Sequence, residues 1–125
     1  MYPPVFPPVA ASTAAKALLG SNPVRFYQFG LAPQNVQKPY AVWQRVFGNP
    51  ENYLNSVPDI DVLSIQIDVY ASPESSGANT ARNVAVAIRD AIEPTCHITS
   101  WLGESIDPDT KNHRFSFQAD YWVPR

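Results

Sequence analysis

The chain has 125 residues and a mass of 13.9 kDa, the size of one ordinary domain, and its 45% hydrophobic residues suffice for a sizeable core. A formal charge of -2 with an isoelectric point near 5.5 supplies no basic field, which argues against electrostatic binding of nucleic acid or of an anionic membrane surface. One cysteine, Cys96, rules out an intrachain disulfide, and no apolar run approaches the roughly 20 residues that span a bilayer.

Four of the thirteen prolines fall between Pro3 and Pro8. Their fixed φ and missing N–H groups predict an extended arm over residues 1–9. Tyr2, Val5 and Phe6 would serve it as apolar anchors on a neighbouring surface; an unordered terminus is the plainer reading. Residues 10–125 are expected to form a single domain. The helix formers of Ala10 to Leu19, followed by Gly20 and Pro23, predict a first helix. Val24 to Phe29 and Tyr40 to Phe47 read as strands, being aromatic and β-branched. A long loop, Gly48 to Asp59, then carries Tyr53 and Leu54 at its middle.

Asp61 to Tyr70 predicts a third strand and Arg114 to Val123 a last one. In both, odd positions are mainly apolar and even positions mostly polar, which predicts one packed face and one open face. Between them, Ala78, Ala81, Val84, Ala85, Ile88 and Ile92 recur at helical spacing until Pro94 forbids continuation. Arg82 and Arg89 lie on the other side of that helix, a solvated face or an assembly surface. Cys96 to Leu102 reads as a fourth strand, joined to the last by a turn from Asp107 to Asn112. The expected fold is α+β: a mostly antiparallel sheet of about five strands, two helices on one face, in the order α-β-β-β-α-β-β.

Catalytic constellations are weak. Cys96 and His97 are strand neighbours and point to opposite faces, so they cannot form a nucleophile–base pair, and a small buried cysteine is the default. His97 and His113 lack the companions of a zinc site, and Asp107, Asp109 and Asn112 lack the glycine and distal glutamate of a calcium loop; an Asp-Pro turn explains them. Asp59 and Asp61 read as charges protecting an edge strand. No cofactor or metal is expected. Trp43, Tyr70 and Trp122 fall out of step with the core-facing residues of their strands. They point to contact surfaces, or to rings covered by their own subunit. Asp68 and Asp120 beside them speak against base stacking.

Lys38-Pro39-Tyr40-Ala41-Val42 running into Arg45, then Ile65-Gln66-Ile67-Asp68-Val69-Tyr70-Ala71, a helix Ala81 to Ile92, His113-Arg114-Phe115 and Asp120-Tyr121 follow one another in a telling order. That order, over roughly residues 10–123, resembles the small tail-completion, or tail-terminator, proteins of long-tailed bacteriophages, the siphophage head-tail joining proteins. The resemblance implies a structural virion protein of tail or neck, assembled in the host cytoplasm, without enzymatic activity. It implies a homo-oligomeric ring, commonly a hexamer. Such a ring caps the tail tube, stops its polymerisation and joins it to the head connector or stopper protein, while DNA passes through without specific binding. The proline-rich arm and the Gly48–Asp59 loop depart from the family pattern. Another neck component such as a head-closure protein, a small α+β hydrolase or ligand-binding enzyme, and a monomeric adaptor are the alternatives. The candidate contact residues are Tyr2, Phe6, Trp43, Tyr53, Leu54, Tyr70, Arg82, Arg89 and Trp122.

Overall fold

The structure, a computed structural model, describes residues 5–21, 24–34, 36–50, 60–74 and 76–124. The elements are α1 (Phe6–Ala11), α2 (Thr13–Leu19), β1 (Phe26–Gln28), β2 (Tyr40–Pro50), β3 (Ile60–Ala71), α3 (Gly77–Ile92), a 3-10 turn (Glu93–Thr95), β4 (His97–Ile106) and β5 (His113–Pro124). The sheet order is β1-β2-β3-β5-β4, and every pairing is antiparallel except the three-residue parallel pair of β1 with β2. β3 and β4 run the same way, joined through α3, and β5 slots between them in the opposite sense. The α+β class and antiparallel character follow the sequence expectation.

The strand alternation becomes two unlike faces. Leu63, Ile65, Ile67, Val69 and Ala71 of β3 and Phe115, Phe117, Ala119 and Tyr121 of β5 are buried on one side, together with Ala41 and Trp43 of β2. The buried stripe of α3, Ala81, Val84, Ala85, Ile88 and Ile92, packs onto this side. α1 and α2 pack beside α3, and all the buried apolar residues form one cluster. Gly77 lets α3 start close to the sheet. A Cβ there would lie 2.0 Å from the Ser72 carbonyl oxygen and 2.7 Å from His113 Cδ2.

Four expectations are corrected. Residues Phe6 to Val9 are helical rather than extended, and Val5 and Val9 are fully buried. Two prolines near the start of a helix cost no hydrogen bond, because N–H groups there have no intrahelical partner. Residues 1–4, including Tyr2, lie outside the described residues. The single first helix is two, so among the described residues three α-helices form the layer on the sheet. The backbone turns extended at Ser12, whose Oγ accepts from Ala15 N–H at 3.2 Å and caps α2. β2 extends to Pro50, beyond the expected Phe47. Asp61 sits in a central strand, opposite Pro50 and Val123, so it guards no edge; the edges are β1 and β4.

The β4–β5 turn accounts for its acidic residues. Asp107 Oδ1 accepts from the Asp109 and Thr110 N–H groups at 2.9 and 3.3 Å, and Lys111 takes a positive φ of 64°. At the other end of the core the Tyr121 hydroxyl is enclosed beside Cys96 and Thr95, yet neither meets it in regular hydrogen-bond geometry. Burial, then the neighbouring thiol, pushes its pKa well above the usual tyrosine value.

An unsatisfied buried hydroxyl costs about 1–3 kcal/mol. Tyr121→Phe, which keeps the ring, is therefore expected to leave stability unchanged or raise it by about 1 kcal/mol in urea unfolding. The same phenol predicts an alkaline limit. The unfolded chain releases this proton near pH 10, and the folded chain holds it to higher pH. Its stabilising contribution is whole below pH 10 and is lost as pH rises toward the folded value. Tyr121→Phe should flatten that alkaline fall, and an unchanged slope would locate it in other groups.

Candidate assembly surface

On the face away from the helices, the even-numbered side chains of β3 and β5 hydrogen-bond one another. Ser64 Oγ donates to Asp120 Oδ1 at 2.6 Å and Ser116 Oγ to Asp68 Oδ1 at 2.5 Å. Gln66 Nε2 donates to the same Asp68 oxygen at 3.1 Å, and Gln118 Nε2 to Gln66 Oε1 at 3.4 Å. Asp68 is only 7% exposed, so these donors replace water that it has lost. The result is a flat polar strip whose side chains are held in place before any partner arrives.

Aromatic pairs bound the strip. At one end Tyr40 stacks on Tyr70, ring centroids 5.2 Å apart and planes 23° apart. Burial raises both phenol pKa values; Tyr70 and Asp107 add to the rise at Tyr40, and Asp68 adds to that at Tyr70 against the lowering effect of Arg114. At the other end Trp122, 51% exposed, faces the His97 ring at 6.3 Å.

The sequence candidates separate under this geometry. Tyr70 and Trp122 do lie on the open face. Trp43 does not: it pairs with Ile67, on the helix side, and is 7% exposed. Its phase follows Ala41, which marks the buried positions of β2, whereas the aromatic and β-branched residues on both sides of it obscured that period in the sequence. Phe6 is partly exposed but stacks on Phe26 at 6.4 Å. Tyr53 and Leu54 lie outside the described residues.

Arg82 and Arg89 join α3 to the sheet edge. Arg82 reaches Glu104 of β4 at 3.5 Å, and Arg89 lies 5.1 Å above the Trp101 ring and 3.2 Å from Asp90. Trp101 in turn packs on Phe115 and Phe117, at centroid distances of 4.7 and 5.0 Å. The half-exposed Arg82–Glu104 pair contributes about 0–1 kcal/mol, so these arginines trim the flank more than they hold it. Trp101 is the residue that sequence reasoning passed over. Its signal was the one large ring in a strand segment that otherwise carries only aliphatic and small polar residues around it, Ile98, Thr99, Ser100 and Leu102.

The thiol–imidazole pair does not form a reactive centre. The His97 ring is turned to Trp122, and burial pushes the Cys96 thiol pKa up, opposite to the direction that activates a nucleophile. Among the described residues, no group of three or more His, Cys, Asp and Glu side chains is arranged to hold a metal ion. Among the same described residues no helix is long and apolar enough to cross a membrane.

What the geometry offers is a braced, pre-ordered surface for contact. A sequence profile of the family described as Tail completion protein gp17 matches residues 4–123, nearly the whole chain. The chain belongs to this family of phage tail-completion proteins. Tail completion is a structural role: such a protein is a virion component and associates with tail and head components. No curated protein matches the chain.

For this tail-completion protein the two tryptophans should behave oppositely. Trp43→Ala opens the core and is expected to cost about 3–5 kcal/mol of folding stability. Trp122→Ala, at an exposed site, should change it by no more than about 0.5 kcal/mol. Paired thermal melts of the two variants check this, and equal losses would place Trp122 in the core as well.

Proposed function

We propose that the protein is the tail terminator: its subunits close into a ring, commonly a hexamer, that caps the finished tail tube, stops its polymerisation and presents the docking surface for the head connector. The observation that carries this reading is the family match over residues 4–123. The fold is consistent with it in physical terms. A five-stranded sheet backed by helices is a rigid wedge, and identical wedges in head-to-tail contact close into a ring when the rotation per subunit is right. A ring whose top face no tube subunit recognises halts growth without chemistry.

Tyr70 and Trp122, on the open sheet face, are the sequence candidates left best placed to meet a partner. DNA crossing such a ring must not be gripped. A net charge of -2, and carboxylates Asp68 and Asp120 on the open face, disfavour accumulated phosphate contacts.

The test is tube growth. Purified protein added to polymerising tail-tube subunits is expected to cap the tubes, seen by electron microscopy as a ring at one end and a fixed length distribution. Tubes that elongate unchecked, with no end density at saturating protein, would overturn the terminator reading.

A further inference from the structure

The sheet ends in two open edges. Among the described residues no strand pairs with the outer side of β4, and on the opposite side β1 covers only Ala41–Trp43 of β2, so that past Trp43 no described strand lies on the outer side of β2, which pairs there with β3 alone. The exposed large apolar side chains gather at these same edges. Of the eight among the described residues, six lie there: Phe29, Leu31 and Val46 at the β1–β2 edge, and Trp101, Leu102 and Ile106 on β4. A recess of about 360 Å³, lined by Gln28, Phe29, Gln44 and Arg45, opens where β1 stops.

Charge divides along the same line. Residues 1–50 contain Lys16, Arg25, Lys38 and Arg45 and no acidic residue; all eleven Asp and Glu residues follow. That first segment builds the helices α1 and α2 and the β1–β2 edge. At the β4 edge Arg82 and Arg89 are already paired with Glu104 and Asp90, which leaves Glu93, Asp107 and Asp109 against Lys111 and Arg114, the latter bonded to the neutral Ser105 hydroxyl at 3.2 Å. The strand carries no lysine and no proline, the usual guards of an edge.

We infer that the occupant of each edge is the other edge of a second copy: β4 of one subunit pairs with the β1–β2 edge of the next, and the sheet continues across the junction. This rests on the ring reading above and names its interface. The pairing is heterologous, so it repeats instead of stopping at a dimer. Its direction follows from topology. β1 and β2 run opposite to β4, so a repeat that preserves strand direction makes the junction antiparallel. Bulges at Thr99 and Leu102 and the positive φ of Gly103 (91°) bend β4, so its regular stretch, residues 104–106, is where a strand adds. The cation-bearing side of one copy then faces the acid-bearing side of the next.

Two double variants test it. Leu102→Lys with Ile106→Lys blocks the β4 edge; Phe29→Lys with Leu31→Lys blocks the β1 edge. Wild-type ring formation is read separately, by light scattering in solution and by electron microscopy on isolated tail tubes. Wild type is expected to form rings. Each variant, folded by its thermal melt, is expected to stay monomeric, and an equimolar mixture to give a heterodimer through the one intact junction. Rings retained by either variant, or assembly lost in only one of them, overturn this interface and leave the ring standing. Wild type that forms no ring in solution or on tubes removes the ring and this interface together. Hydrogen exchange on the wild-type assembly needs no variant: protection gained at residues 104–106 and 44–49 is expected, and its absence at both overturns the proposal.

Discussion

The pairing of β3 with β5 is the constraint on which the rest of the structure depends. These strands are brought together from opposite sides of α3 and β4, and they match over their full length. Because side chains alternate, a slip of one residue would turn Ile65 and Ile67 outward and Gln66 and Asp68 into the helices. Both faces resist that slip. On the buried side Ile67 stands opposite Phe117; on the open side Ser116 meets Asp68 and Ser64 meets Asp120 through short hydrogen bonds. The apolar face supplies most of the driving force, and the polar face penalises the wrong register.

Once that pair is set, the remaining elements have few places to go. The crossover through α3 must return β4 to the same sheet in the same direction as β3. β5 occupies the site beside β3, so β4 takes the outside of β5. The crossover helix covers one face only, and α1 and α2 pack beside it, with Phe6 of α1 stacked on Phe26 of β1. Among the described residues no element covers the other face, and its polar residues satisfy one another. Surfaces of this kind suit a protein whose work is contact, because partners meet ordered side chains and lose less entropy on binding.

A one-sided sheet also concentrates its liabilities. Apolar side chains that the helix layer cannot reach collect at the two edges, where among the described residues no further strand pairs. In an isolated subunit this is an association hazard; in a component of an assembly it is a means of joining. The family's role in tail completion fits the second description.

By itself the sequence determined the class of fold, the long helix and the two-faced strands, because period and breaker residues are local properties: Ile65 to Val69 alternate, Ala81 to Ile92 recur at helical spacing, and Pro94 ends the run. The order of the named segments also sufficed for the family. Tertiary structure decided three further matters. It turned the proline-rich segment into α1, since Val5 and Val9 find a core only when α3 and β1 are beside them. It put Trp43 inside, because which face of β2 is buried depends on its register with β3. It set which strands are edges, and so moved Asp61 to the centre and Trp101 and Leu102 to the rim. Burial and edge position are relations between distant segments, and no window of sequence holds both partners.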